Sequence, residues 1–263
     1  MCLVVFSIGQ HPDYPVIIAA NRDEFFARPT QAAHFWQQDS NILAGKDLIA
    51  GGTWLGISRT GRFTAVTNIR RFPQATGLHS RGELTTHYLQ SQLSPHQYCQ
   101  ELQNSATNYS PFNLFVGEIS KTKTSLSYIN NSQNKVIDLN EGIYGISNGL
   151  LDDNWRKVSH TQKRFTKALS QPFEPHQLLS VLRHNEKLSD SELPDTGIEH
   201  RYEQYLSSAF IDTFPINHQA YGTRSQSLIT VDKEFLCQYY EVQLNQEQQI
   251  ISEMDFKLQL TIS

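Results

Sequence analysis

The residue with the clearest chemical potential is Cys2, directly after the initiator methionine. Methionine removal is expected when residue 2 is as small as cysteine, and the mature chain would then carry a thiol beside its own α-amino group. That amine has an ordinary pKa of about 7.7–8.0, which suits a general base near neutral pH. A nucleophile activated by an N-terminal amine is a recognised catalytic arrangement. The alternative is that Cys2 is a small apolar residue that opens a buried strand.

A run of four polar residues, Asn21, Arg22, Asp23 and Glu24, follows directly on the apolar segment VIIAA, which is typical of a buried strand. Buried amides and charges are unfavourable unless they are paired or have a task. The commoner fate of such a run is a solvated charge cluster at a strand end. Two features count against that interpretation, because two phenylalanines follow at once and Pro29 then makes a second break.

Three further polar residues follow apolar runs in the same way: Asn68 in AVTNIR, Asn148 in YGISNG and Arg224 in YGTRSQ. A cysteine acyl transfer needs donors for its oxyanion, which an asparagine amide can supply. It also needs a cation that lowers the pKa of the thiol. Each of these residues taken alone is more often a turn former or a helix cap.

The ten histidines are scattered, and none pair at the spacing of metal ligands. His79 and His160 are the two candidates for an axial haem ligand, although a lone histidine is far more often an ordinary surface or core residue. Cys2, Cys99 and Cys237 are too widely spaced for a disulfide framework or a zinc site. The sequence therefore predicts no required cofactor.

The elements that must position these residues alternate along the chain as strands, two helices, strands, two helices and strands. Hydrophobic periodicity and turn residues predict the strands and helices that follow. The predicted strands are 2–9, 15–21, 51–58, 62–69, 112–119, 125–131, 142–149, 221–232 and 234–244. The predicted helices are 81–93, 95–106, 154–171, 175–185 and 202–210. This order indicates an α+β fold of two antiparallel sheets with helices outside, in one domain spanning 1–263.

Composition and charge exclude several classes of protein. The formal net charge is −4, whereas nucleic-acid binders usually carry a basic face. No apolar run approaches the roughly 20 residues that span a bilayer, so no transmembrane segment is predicted. The first residues lack the basic region of a signal peptide, and we therefore expect a cytoplasmic protein. The sequence does not predict an oligomeric state.

The segment NRDEFFARPT, residues 21–30, resembles the signature of the NRDE-motif family, also called the transport and Golgi organisation protein 2-like family. The resemblance extends from residue 1 to about 232 and includes further blocks in order. These blocks are GKDLIAGGTWLGISRTGRFTAVTNIR, SRGEL, FNLFVGE, YGISNGLLDDNWRKV and YGTRSQSLITVD.

This family is in turn similar to the N-terminal nucleophile hydrolases of the choloylglycine hydrolase and penicillin V acylase branch. The resemblance implies a four-layer αββα sandwich. It also implies that Cys2 is the nucleophile, that Asp23 holds the N-terminal amine and that Asn68 is an oxyanion donor. Asn148 would then orient the intermediate, and Arg224 would tune the thiol.

The motif differs from those hydrolases in one respect, because Arg22 and Asp23 are adjacent here and are separated there. Adjacent strand residues point to opposite faces, so both side chains cannot enter one pocket without a bulge or a strand end. We expect Arg22 to face away from Cys2 into an ion pair. Asn21, Arg22 and Glu24 are predicted to form the rim of a pocket around the N-terminus.

Two functions are consistent with these residues. The first is a hydrolase with an N-terminal cysteine that acts on an amide or thioester of a small or acyl-bearing substrate. The second is a non-catalytic carrier on the same fold, since family members are associated with haem trafficking and with acyl-coenzyme A or lipid handling. Haem would then be a cargo and not a cofactor.

Overall fold

The computed structural model describes residues 2–262, apart from the side chains of residues 175 and 176. Its strands are β1 (Cys2–Ile8), β2 (Val16–Phe25), β3 (Thr30–Phe35), β4 (Ile42–Asp47), β5 (Leu55–Ser58), β6 (Arg62–Asn68), β7 (Phe112–Ile119), β8 (Thr124–Asn130), β9 (Lys135–Leu139), β10 (Gly142–Ile146), β11 (Phe214–Ile216), β12 (Gln219–Val231), β13 (Leu236–Leu244) and β14 (Ile250–Gln259). Its α-helices are α1 (Arg81–Gln90), α2 (Pro95–Gln103), α3 (Arg156–Leu169), α4 (Pro175–Ser180) and α5 (His200–Tyr205).

The strands form two antiparallel sheets. The first sheet has the order β10-β1-β2-β12-β13-β14, with β11 paired to β12, and the second runs β3-β4-β5-β6-β7-β8-β9. Helices α1 and α2 pack on the second sheet, whereas α3 and α4 pack on the first. The four layers confirm the predicted αββα sandwich. The strand that begins at Cys2 lies one strand from the edge of the first sheet.

Alternation along β1 and β2 assigns their side chains to two separate cores. Even-numbered residues such as Val4 and Ile18 pack between the two sheets. Odd-numbered residues such as Val5 and Ile17 pack against α3 and α4. A strand buried on both faces needs apolar residues at every position, which explains the uninterrupted runs CLVVF and VIIAA. Any polar residue that continues β2 must therefore enter one of these two layers.

The start of α1 is fixed by Ser80, whose hydroxyl accepts a hydrogen bond from the Gly82 backbone N–H. Glu83 does not complete a capping box, because its carboxylate lies 3.5 Å from Nδ1 of His79 instead of turning back to Ser80. Gly82 contacts Gly52 so closely that a Cβ on Gly52 would lie 2.4 Å from the Gly82 carbonyl carbon. The first turn of α1 is therefore held directly against the loop before β5.

Five strands that the sequence did not indicate complete the sheets: β3, β4, β9, β11 and β14. Most side chains of β14 are exposed or half-buried, so its sequence lacks the apolar run that marks the central strands. Within residues 2–262, no helix is both long enough and apolar enough to cross a membrane. The cytoplasmic location stays a prediction from the sequence.

Candidate active site

A cleft of about 320 Å³ lies where β1, the end of β2, the end of β6 and the start of α1 meet. Charged and polar side chains dominate its wall. The lining residues used below are Cys2, Arg22, Asp23, Glu24, Arg28, Asp47, Ala50, Trp54, Asn68, His79, Ser80 and Arg81. The cleft thus brings together residues from both sheets and from one helix.

Cys2 lies at the inner wall of the cleft and is 7% exposed. The Ser147 hydroxyl donates a 3.0 Å hydrogen bond to its backbone carbonyl and so fixes the beginning of β1. Burial raises the pKa of the Cys2 thiol, and the positive charge of Arg22 offsets only part of this effect. The surroundings of the sulfur therefore do not generate a thiolate unaided.

Arg22 lies beside Cys2, which corrects the expectation that it faces away. The two residues are directly opposite each other in the β1–β2 register and so share one face of the sheet. The Arg22 guanidinium stacks on Trp54 at 4.3 Å and lies 3.7 Å from the Asp47 carboxylate. Arg28 makes the closer contact to Asp47, at 2.5 Å. The predicted ion pair exists, and its acid is Asp47.

Asp23 continues β2 on its other side, as alternation requires, and is 1% exposed. The Thr223 hydroxyl donates to its carboxylate at 2.7 Å, and the Tyr221 hydroxyl donates to its backbone carbonyl at 3.0 Å. Burial raises the pKa of Asp23, whereas the nearby charge of Lys157 lowers it. Asp23 reaches the cleft because it lies near the end of its strand.

A buried polar layer lies beneath Asp23. Lys157 of α3 is 4% exposed and donates from Nζ to the Leu206 carbonyl at 2.9 Å. Burial, together with the charge of Arg70, lowers the pKa of Lys157 to about 8. Arg70 pairs with Glu203 at 2.6 Å, and Glu203 also accepts a hydrogen bond from the Thr196 hydroxyl. Sequence analysis gave no role to these residues.

The sequence suggested that Asn21 lies on the rim of the pocket, but Asn21 belongs to the interior layer. It is fully buried, and its side-chain amide donates to the carbonyls of Leu182 at 2.9 Å and Ala209 at 2.8 Å. Gln226 donates to its side-chain oxygen. All of its polar atoms are thus bound within the protein, and Asn21 connects β2 to the segments around α4 and α5. Glu24 lines the cleft as predicted.

Asn68 lines the cleft at the end of β6, and its side-chain amide makes no hydrogen bond to any part of the chain between residues 2 and 262. That amide is available to a ligand. Asn148 does not line the cleft, because it is fully buried behind Asn68 and donates to the Asn68 carbonyl at 2.9 Å. The single hydroxyl proton of Ser147 is shared between the side-chain oxygen of Asn148 and the Cys2 carbonyl. Asn148 therefore supports both cleft residues from behind.

Arg224 does not line the cleft either. It is the extra residue of a β-bulge in β12, between Thr223 opposite Asp23 and Ser225 opposite Arg22. The bulge turns its guanidinium to the carbonyls of Phe25, at 3.1 Å, and Arg28, at 2.5 Å. Burial lowers the pKa of Arg224, as does the charge of Arg22. Arg22, and not Arg224, is the cation beside the thiol.

The two candidate histidines lie in different places. His79 is half-exposed and lines the cleft, with its ring beside Tyr109. His160 is on α3 in a separate cavity of about 210 Å³ that it shares with His184. Haem ligation by either residue stays a prediction. Across residues 2–262, no three His, Cys, Asp or Glu side chains come together in a way that could hold a metal ion.

Arg81 is the cleft residue whose position sequence analysis missed. It is the first residue of α1, and its guanidinium donates to the Pro111 carbonyl at 3.2 Å. Burial lowers its pKa, and the Cys2 thiolate would act in the opposite direction. The sequence signal for Arg81 was the N-cap residue Ser80, because it marks the start of a helix. The N-terminus of a helix and an arginine in its first turn both present positive charge.

The model of the Transport and Golgi organisation 2 family matches residues 1–246 of the chain. The chain belongs to this family. The mouse Transport and Golgi organization 2 homolog is 34% identical over 249 residues, covering 88% of this chain and 89% of the mouse protein. The human homolog is 33% identical over 247 residues, covering 89% and 90% of the two chains. The predicted family membership is confirmed.

The fold of this family member also resembles a solved enzyme structure. An arginine-to-leucine variant of the conjugated bile acid hydrolase from Clostridium perfringens superposes with a TM-score of 0.51. The match covers 100% of this chain and 98% of that chain at 10% sequence identity. A likeness at this identity shows the shared N-terminal nucleophile hydrolase fold and leaves the activity to be argued from the site.

Proposed function

We propose that the mature protein is a hydrolase with an N-terminal cysteine that cleaves an amide or thioester of a small or acyl-bearing substrate. The observation that carries this proposal is the position of Cys2, which lies at the inner wall of a 320 Å³ cleft with Arg22 and Asn68 lining the same cleft. Removal of Met1 is part of the proposal, because only then does the α-amino group belong to Cys2.

The base in this mechanism is the α-amino group of Cys2. Burial raises the thiol pKa, so a nearby group must take the proton as the sulfur attacks. The sulfur bonds to the carbonyl carbon and the amine receives the thiol proton. The bond from that carbon to the leaving nitrogen or sulfur then breaks, and the same proton passes to the leaving group. A water molecule next attacks the acyl-thioester and gives one proton to the amine. The bond between the carbon and the Cys2 sulfur breaks, the acid leaves, and the proton on the amine restores the thiol.

The surrounding residues have complementary roles in this proposal. The free Asn68 amide donates to the oxyanion, and Asn148 holds the Asn68 backbone in place. The carboxylate of Asp23 accepts from the ammonium form of the N-terminus and orients it. Arg22 lowers the cost of negative charge on the sulfur, which is the role that the resemblance gave to Arg224.

The first test needs no substrate. Intact-mass measurement on the native protein should show the loss of one methionine, and iodoacetamide should label Cys2 first. Cys99 and Cys237 are fully buried, and burial raises the pKa of each to about 12, so both should react far more slowly. A retained Met1 would contradict the mechanism.

The second test is hydrolysis of a panel of acyl amides and acyl thioesters by native protein, Cys2→Ser and Cys2→Ala. Both variants should lose turnover by about three orders of magnitude or more while remaining folded. Full activity of Cys2→Ala on a substrate that the native protein cleaves would contradict the proposal. Equal binding of haem or acyl-coenzyme A by native protein and Cys2→Ala, with hydrolysis by neither, would support the carrier function.

A further inference from the structure

Large apolar side chains are exposed mainly around the mouth of the cleft. Five are more than half exposed among the residues that the structure describes, and four of the five lie on two loops that border the cleft. These four, which we call the apolar rim, are Leu48 (55%), Ile49 (66%), Phe72 (63%) and Leu78 (84%). The fifth, Ile251 (64%), lies on β14, separated from β1 by three other strands.

The first loop presents its apolar residues because its backbone turns tightly around Asp47. The Asp47 carboxylate accepts hydrogen bonds from the backbone N–H groups of Ile49 and Ala50, both at 3.0 Å. Asp47 and Ala50 line the cleft, and Leu48 and Ile49 lie between them in sequence. The two exposed side chains are therefore at the edge of the cleft mouth.

The second loop, residues 69–79, is also held by backbone hydrogen bonds. The Leu78 N–H donates to the Asn108 carbonyl and the Phe72 N–H to the Thr196 carbonyl, both at 2.7 Å. Leu78 directly precedes His79, which lines the cleft. Because hydrogen bonds fix the backbone at Phe72 and Leu78, the fold itself keeps these two side chains exposed.

The charge that the two loops leave exposed is positive. Asp47 is bound to Arg28, and Arg70 is bound to Glu203, so these charges are compensated within the protein. Arg71, next to Phe72, is exposed. Apolar tips beside an exposed, uncompensated arginine are complementary to anionic lipid headgroups over hydrocarbon.

We propose that the apolar rim docks on the surface of an anionic lipid bilayer, with the mouth of the cleft facing the headgroups. Exposed apolar side chains gain by leaving water, and several of them beside one cleft mark an interaction surface. The four residues are on two separate loops, and each loop contributes residues to the cleft lining. A fluid bilayer can accommodate such separate tips, whereas a protein partner would need a complementary surface.

Vesicle flotation with the full chain tests this proposal. We expect the native protein to float with vesicles of phosphatidylcholine mixed with phosphatidylserine, and less with phosphatidylcholine alone. Leu78→Ser combined with Ile49→Ser should weaken binding by about tenfold or more, since each change removes an inserting side chain. Arg71→Glu should weaken binding to the anionic vesicles only.

The matched control is Ile251→Ser, which removes an equally exposed isoleucine away from the rim and should leave flotation unchanged. Absence of flotation with both vesicle types would overturn the proposal, as would an equal loss in Ile251→Ser. Light scattering of the protein without lipid tests whether the rim forms a dimer instead. A dimer that Leu78→Ser dissociates would assign the rim to a second copy of the chain and would also overturn bilayer docking. None of these results depends on the hydrolase activity.

Discussion

At the end of β2, the charged residues on the two faces of the strand differ in how they are paired. On the side that faces the cleft, Arg22 stacks on Trp54 and lies 3.7 Å from Asp47, beyond hydrogen-bond distance. On the side that faces the helices, Asp23 is bound by Thr223 and lies above the buried Lys157. One motif thus directs alternate residues to the cleft and to the interior layer, and Asp23, near the end of the strand, borders both.

This difference separates function from folding. Within residues 2–262, Arg22 has no carboxylate at hydrogen-bond distance, and it lines the cleft, where a bound ligand can contact it. Charges in the interior layer are surrounded by donors and counter-charges, because an unpaired ion there would destabilise the fold. Substitutions on the helix-facing side should therefore reduce stability, whereas those on the cleft side should change reactivity more than stability.

The largest effect on stability is expected from Glu203→Ala. It would leave the Arg70 guanidinium buried without the carboxylate that now lies 2.6 Å away. Loss of one partner of a buried pair destabilises by about 3–5 kcal/mol. Urea unfolding measures the change. The matched control is Glu199→Ala in the neighbouring exposed pair with Arg201, and a similar loss in the control would show that burial is not the cause.

The second prediction concerns pH and Lys157, whose pKa burial lowers to about 8 from an ordinary 10.5. Between these values the unfolded chain binds a proton that the folded chain does not, so stability should rise as pH increases from about 8 to 10.5. The full rise is about 3 kcal/mol. Lys157→Met should remove it, as measured by urea unfolding at each pH.

Lys163→Met provides the comparison for Lys157, because Lys163 is exposed on the same helix. It should leave the pH dependence unchanged. If Lys157→Met keeps the rise in stability, the buried ammonium does not titrate in this range and the assignment of Lys157 to the interior layer is wrong.

The smallest effect on stability is expected on the cleft side, from Arg22→Gln. Arg22 is buried, but Asp47 keeps its closer partner Arg28 after this change, so no buried charge loses its only partner and the loss should be well below that of Glu203→Ala. The same substitution should raise the pKa of the Cys2 thiol and slow its alkylation at neutral pH, because a positive charge beside the sulfur is lost. If Arg22→Gln lowers stability and leaves the alkylation rate unchanged, Arg22 serves the fold and not the reactivity of Cys2.

On the cleft side, the contribution of Asp47 to the free energy of unfolding depends on pH. Although burial acts against it, the hydrogen bond from Arg28 lowers the pKa of Asp47 below its ordinary value of 3.8. Its contribution to stability is therefore complete above about pH 3.8 and is lost as pH falls through the lower folded value. Asp47→Asn should flatten acid unfolding in that range.

The fold class was predictable because central strands of both sheets carry long apolar runs, and because the helices occur in pairs between them. Strands such as β14 were not predictable, since an edge strand exposed on one face has no such run. Alternation correctly placed Arg22 and Asp23 on opposite sides. Which side faces Cys2 depends on the register of β1 and β2, which the loop between them sets.

Of the candidate site, only the residues at or near strand ends were predictable from the sequence. Cys2, Asp23 and Asn68 line the cleft, because each lies at or near the terminus of a strand. Arg224 turns away because of a bulge, and bulges leave no signal in a single sequence. Arg81 comes from a helix that sequence analysis placed correctly, but its contact with the cleft depends on the close approach of Gly52 and Gly82.

The bulge at Arg224 has a consequence for how this sequence can vary. Thr223 remains opposite Asp23 and Ser225 opposite Arg22, so Arg224 is an insertion that leaves the pairing on both sides intact. Removal of Arg224 would restore a regular ladder without moving any of these partners to the wrong face. A relative that lacks one residue here can therefore keep the same strands, and would lose only the guanidinium that holds the carbonyls of Phe25 and Arg28.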